Sequence, residues 1–170
     1  ELNAGGNEAL AVNQLRRTLR GIANIKDSIQ CITIITESGD IIFYDKPTAS
    51  SIKNSWLDTM NLTPEELYDK ISNENSTQYI TTRYASSFSA KPYYLFHLAH
   101  RIVDYNSIHR QLGVIIISID ERLLHEVCNQ NSVDGDDTLP GNVNFIVDDE
   151  GRLVTFPVQR SIENTVLPIP

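Results

Sequence analysis

The most apolar stretch of the chain is Gly113 to Ile119, GVIIISI. Its β-branched residues and flanking turn signals predict a buried central strand. It is much shorter than the roughly 20 apolar residues of a membrane span. Just before it, Tyr93 to Asp104 predicts a second strand, whose successive side chains point to opposite sides. Tyr94, Phe96, Leu98, His100 and Ile102 share one side; Tyr93, Leu95, His97, Ala99, Arg101 and Val103 share the other. Both sets are largely apolar, so both faces of this sheet are expected to be covered, one by an N-terminal helix and the other by inserted helices.

That N-terminal helix is predicted over Glu8 to about Ser28, with Ala11, Leu15, Leu19, Ile22 and Ile29 at helical spacing. The seven-residue steps Leu15, Ile22 and Ile29 also suit a helix that pairs with a copy of itself, a route to a homodimer. Ile29 to Tyr44 (IQCITIITESGDIIFY) predicts a hairpin turning at Glu37 to Asp40. Residues 50–72 predict two helical pieces. The second opens on Thr63, Pro64 and Glu66, a capping box with Pro in the first turn. The only tryptophan, Trp56, lies between the pieces. Gln78 to Phe88 predicts another strand. A helix from Asp120 to Gln130 is expected to bury Leu123, Leu124 and Val127. The polar stretch 131–142 reads as a linker. Beyond it, two apolar runs flank Asp148 to Arg152, a second hairpin that echoes the first. The class is α+β, with a mainly antiparallel central sheet of about five strands. The domain reading is a sensor-sized unit over 1–130, a linker over 131–142 and the start of a further subdomain over 143–170.

Composition narrows the function. A net charge of −8 over 170 residues opposes binding to nucleic-acid phosphates. ELNAGGNE at the start lacks the basic and apolar parts of a signal peptide. Lacking an initial Met and ending at LPIP, the chain reads as a segment of a longer protein. There is no nucleophile elbow, P-loop or dinucleotide glycine fingerprint, so a small hydrolase is the weaker alternative. His97 and His100 fall on opposite faces of one strand and have no partners at metal spacing; no metal or other cofactor is expected. Asp134 to Asp137 lacks the alternating ligands and closing Glu of a calcium loop. Cys31 and Cys128 read as ordinary buried thiols, or as one disulfide in an oxidising compartment.

The order of elements, with ITIITESGDIIFYD, a Trp-bearing helical insert, HRIVD, LGVIIISIDERLL and finally FIVDDEGRLV, resembles the extracytoplasmic Cache domain. This is the PAS-like sensor module of bacterial membrane receptors, here most like the ectodomains of YesM-like sensor histidine kinases. The resemblance implies a non-catalytic domain outside the membrane, in a membrane-anchored parent. It also implies a pocket between the sheet and the inserted helices, for a small molecule or a ligand-loaded binding protein. A chemoreceptor or a cyclic-dinucleotide signalling protein would use the same module with a different output.

Arg83 and Arg101 are the first candidates for such a pocket, because a guanidinium can hold a ligand carboxylate through paired hydrogen bonds. Salt bridges to Asp104 or Glu121 are the structural alternative. Trp56, Tyr84 and Tyr94 are candidate pocket walls, or core aromatics. His97, Arg101 and Asp104 interrupt an otherwise apolar strand close to where the pocket would lie. The amino-acid-binding members combine Arg, Trp, Tyr and Asp at a spacing this chain does not reproduce, so a free amino acid is not the expected ligand.

Overall fold

Five strands form one antiparallel sheet in the order β2-β1-β5-β4-β3. They are β1 (Ile29–Thr36), β2 (Ile41–Asp45), β3 (Gln78–Ala85), β4 (Tyr93–Asp104) and β5 (Ser107–Asp120). The computed structural model describes residues 2–46, 60, 62–85, 93–130, 145–148 and 151–155. Among the described residues, three helices accompany the sheet: α1 (Leu2–Ala23), α2 (Pro64–Ser72) and α3 (Arg122–Gln130). A separate two-stranded sheet joins β6 (Ile146–Val147) to β7 (Leu153–Thr155). Residues 131–142 lie outside the described residues.

The apolar run sits in the middle of the sheet, as its composition requires. β5 pairs with β1 on one side and β4 on the other. The β1–β2 turn is tight because Gly39 takes φ 86°, a conformation that costs glycine nothing. Thr36 Oγ1 accepts from the Asp40 amide at 3.0 Å and closes the turn. The second acidic-glycine turn is built alike: Gly151 has φ 75°, and Arg152 Nε donates to Asp148 Oδ2 at 2.7 Å.

Each face of the sheet has its own cover. Leu19 and Ala23 of α1 pack on Ile32, Ile34 and Ile42. On the other face, Leu67 and Ile71 of α2 pack with Ile35, Ile80, Ala99, Val114 and Ile116. α1 differs from the sequence expectation at both ends. It starts at Leu2 and stops at Ala23, five residues before Ser28. Ile29 begins β1 and lies opposite Ile119, so Leu15, Ile22 and Ile29 are not one stripe. The β-branched run from Ile29 fits a pleated strand better than a helix. The buried stripe is Val12, Leu15, Leu19 and Ala23, and Ile22 is exposed.

α3 also turns a different face inward. Leu123 and Val127 are exposed; Leu124 is half-buried and Cys128 buried, one turn apart. Asp120 Oδ1 accepts from the Arg122 amide at 3.0 Å. The helix therefore starts with Glu121 already facing inward, and that sets its phase.

The capping box on α2 is complete. The Glu66 amide donates to Thr63 Oγ1 at 3.2 Å, and the Thr63 amide donates to Glu66 Oε2 at 2.8 Å. Thr63→Ala should cost about 1 kcal/mol, because this short helix carries the fully buried Leu67 and Ile71. Urea unfolding checks it, and an unchanged midpoint would show the cap to be dispensable.

Candidate functional site

On the face covered by α2, polar side chains cross the sheet in one line. The pairing register sets Asp45 opposite Cys31, Cys31 opposite Ser118, and Ser118 opposite His97. Directly opposite residues of antiparallel strands share a face, so the four form a row over β2, β1, β5 and β4. Cys31 and His97 are 0 % exposed, Ser118 1 % and Asp45 4 %. Thr33, one step along β1 on the same face, is also buried, and its hydroxyl lies 3.5 Å from the Cys31 thiol.

His97 is the distinctive member. Its Nδ1 lies 2.9 Å from Ser118 Oγ, while its Nε2 has no hydrogen-bond partner among the described residues. Burial pushes its pKa down to about 3, so the imidazole is neutral. The rotation of the Ser118 hydroxyl sets whether Nε2 donates or accepts. Cys31 is not a nucleophile here: burial, opposed by the Thr33 hydrogen bond and reinforced by Asp45, pushes its thiol up to about 12. Cys31 and Cys128 are both free thiols. Among the described residues, no three of His, Cys, Asp and Glu converge to hold a metal ion.

The residues singled out from sequence are spread more widely. His97 and Arg101 share the α2 face, four residues apart on β4, or about 13 Å at ordinary strand rise. Arg101 is half-buried opposite Val114, with no ion pair to Asp104 or Glu121 among the described residues. Asp104 ends β4 at the turn into β5, where its Oδ1 accepts from the Asn106 amide at 2.9 Å. Tyr94 is half-buried on β4, one position out of step with His97. The backbones of Arg83 and Tyr84 lie opposite Leu95 and Tyr94, beyond a register shift in β3. Trp56 lies outside the described residues. Sequence reading did not single out Asp45, Cys31 or Ser118 for the site. Ser118 carried a signal, since it keeps period-two step with Val114 and Ile116 inside the most apolar run.

The opposite face holds a cavity of about 520 Å³. Tyr79 and Phe96, with ring centres 6.2 Å apart, Leu124 of α3, and Ile146 and Val154 of the small hairpin line it.

No family model matches the chain, and no curated protein matches it in sequence. Among solved structures it is similar to the ligand-binding domain of the amino acid chemoreceptor PctC of Pseudomonas aeruginosa PAO1, determined in complex with GABA. The identity is 12 %, the TM-score 0.51, and the match covers 92 % of this chain and 75 % of that one. With a five-stranded antiparallel sheet and three helices among the described residues, this chain has the Cache/PAS-like ligand-binding-domain fold.

Proposed function

We propose that this chain is the extracytoplasmic ligand-sensing domain of a membrane receptor, and that it recognises a small molecule over the His97 row. The observation that carries the reading is the buried Nε2 of His97 without a partner. Leaving a buried polar group unsatisfied costs about 1–3 kcal/mol, which a bound hydroxyl or amide group would recover. Because the imidazole is neutral, this end of the site selects a neutral hydrogen-bonding group over an anion. Arg101, farther along the same face, is the cation for a carboxylate; Arg83 is the second candidate. Trp56 is the aromatic candidate for its wall; Tyr94 belongs by register to the opposite side of the sheet, and Tyr84 pairs with it. Sugars, sugar acids and hydroxy acids fit this pattern, delivered free or by a ligand-loaded binding protein. A sensor histidine kinase is the preferred output, with catalysis outside this chain. A chemoreceptor is the second reading, favoured by the fold likeness to PctC. Pairing through α1 would make the receptor a homodimer.

Thermal-shift screening of sugars and organic acids tests the binding. A true ligand should raise the melting temperature of the wild type, and His97→Phe or Arg101→Ala should weaken its affinity about tenfold or more, the worth of one 1.4 kcal/mol contact. A ligand held equally well by His97→Phe, Arg83→Ala and Arg101→Ala would remove the row from the site. The receptor part is tested on the full-length polypeptide, which should carry membrane spans around this segment; their absence would sink it.

A further inference from the structure

Glu121 sits where the five-stranded sheet meets the C-terminal hairpin. It directly follows β5, and its amide donates to the Tyr94 carbonyl at 3.0 Å. Its carbonyl accepts from Leu124 and His125 in the first turn of α3. The backbone here is thus pinned to β4 and α3. The side chain is only 8 % exposed, and it accepts a hydrogen bond from the hydroxyl of Thr155, itself 0 % exposed. Thr155 ends β7, so this bond joins two separate sheets across 34 residues of sequence.

The hairpin depends on such a tether. A lone two-stranded hairpin is marginal in water; Leu153 and Val154 are buried, and beside them a 520 Å³ cavity lies between the hairpin and Tyr79, Phe96 and Leu124. We propose that the Glu121–Thr155 contact is a proton-gated latch, which holds the C-terminal hairpin on the sensor sheet when Glu121 is neutral and loosens when it is charged.

The groups around Glu121 fit that role. From β5, Asp120 presents a second carboxylate. Arg122 is committed to Asp120, with Nε 3.0 Å from both oxygens and Nη2 2.5 Å from Oδ2. α3 contributes the Cys128 thiol, β4 the Tyr94 carbonyl and β7 the Thr155 hydroxyl; among the described residues, none supplies a free cation. Burial first, then Asp120, opposed by Arg122, push the Glu121 carboxyl up to about 7. Releasing the hairpin exposes the carboxyl and lowers its pKa from about 7 toward the ordinary 4.5. Docking is therefore strongest below pH 4.5, weakens as pH rises to about 7 and is constant above that. A complete return to 4.5 would correspond to roughly 300-fold in the docking equilibrium, which is the upper bound of the effect. In a receptor, the hairpin's position would report external pH; that consequence rests on the proposed function, whereas the latch itself does not.

Amide hydrogen exchange over residues 145–155, corrected for intrinsic rates, tests the latch between pH 5 and pH 8. Wild-type protection should fall at least tenfold as pH rises. Glu121→Gln should stay protected at both ends of the range, and Thr155→Val should lose protection throughout. Amides of β4 and β5 should stay protected in all three, which reports an intact sheet. A flat wild-type profile, or a wild-type slope retained in Glu121→Gln, would overturn the proposal. If Glu121→Gln does not fold, Thr155→Val decides with the wild type: wild-type protection in that variant overturns the latch. No ligand enters these measurements, so failure here leaves the sensing role intact, and failure of ligand binding leaves the latch intact.

Discussion

Replacing His97 by Phe should make the protein more resistant to acid, by about 1.4 kcal/mol relative to wild type for each pH unit below 6.5. In the unfolded chain the imidazole protonates at its ordinary 6.5; in the folded protein it stays neutral down to about 3. Below pH 6.5 the unfolded state takes up a proton that the folded state refuses. The stability contributed by neutral His97 is thus fully present above pH 6.5 and is lost as pH falls toward 3. Over that window the loss reaches roughly 4–5 kcal/mol, a large part of the 5–15 kcal/mol typical of a domain. Phe is larger, so it adds an overpacking cost that does not vary with pH, and it cannot titrate. It leaves the Ser118 hydroxyl without its partner, but that offset does not change with pH. Urea unfolding of both proteins at pH 7, 6, 5 and 4 measures the difference directly. Parallel stability profiles would show that His97 is not buried neutral.

Glu121 acts with the opposite sign. Its carboxyl holds a proton up to about 7 when folded and only to its ordinary 4.5 in the unfolded chain. It therefore adds stability as pH falls from 7 to 4.5, by up to about 1.4 kcal/mol per pH unit. Between pH 6.5 and 4.5 the two groups oppose each other. Removing Glu121 steepens the acid loss and removing His97 reverses it, so the two variants should bracket the wild-type curve.

Gly113→Ala should cost about 3 kcal/mol, the upper end for overpacking a core. A Cβ at this position would lie 2.5 Å from the Ile35 carbonyl oxygen and 3.3 Å from the Thr36 Cα. Both neighbours are backbone of β1, so no side chain can swing aside. The β1–β5 pairing must spread at Thr36–Gly113, next to Ile35 and Val114 of the core. At roughly 2–4 °C per kcal/mol for a chain of this size, the melting temperature should fall by about 6–12 °C. Gly21 is the control: on α1 nothing lies within 4 Å of the added atom, and Gly21→Ala should be neutral or stabilising by up to about 1 kcal/mol. A loss below 1 kcal/mol at Gly113 would mean that the strand pair yields more easily than its geometry implies.

Much of the fold was legible along the chain, because local chemistry sets it. The β-branched run of β5, the turn at Gly39 and the Thr63–Glu66 box each act within a few residues. The errors came where a local pattern fits two structures. Ile29 continues a helical stripe as well as it starts a strand, and pairing with Ile119 decided for the strand. Leu123 and Val127 mark as good an apolar face as Leu124 and Cys128; the inward-facing Glu121 rotated the helix to the second.

The candidate site divides in the same way. Sequence alternation by itself determined that His97 and Arg101 share a face of β4, and that Ser118 shares one with Val114 and Ile116. Only the tertiary structure decided that His97 meets Ser118, that Ser118 meets Cys31 and Cys31 meets Asp45, and that Glu121 reaches Thr155. The physical reason is the two-residue period of a strand. It assigns every side chain to a face, but sliding one strand by two residues keeps all the faces and breaks the row. The register was chosen by the packing of α1, α2 and the Gly113 contact around the sheet, which no single segment of the chain contains.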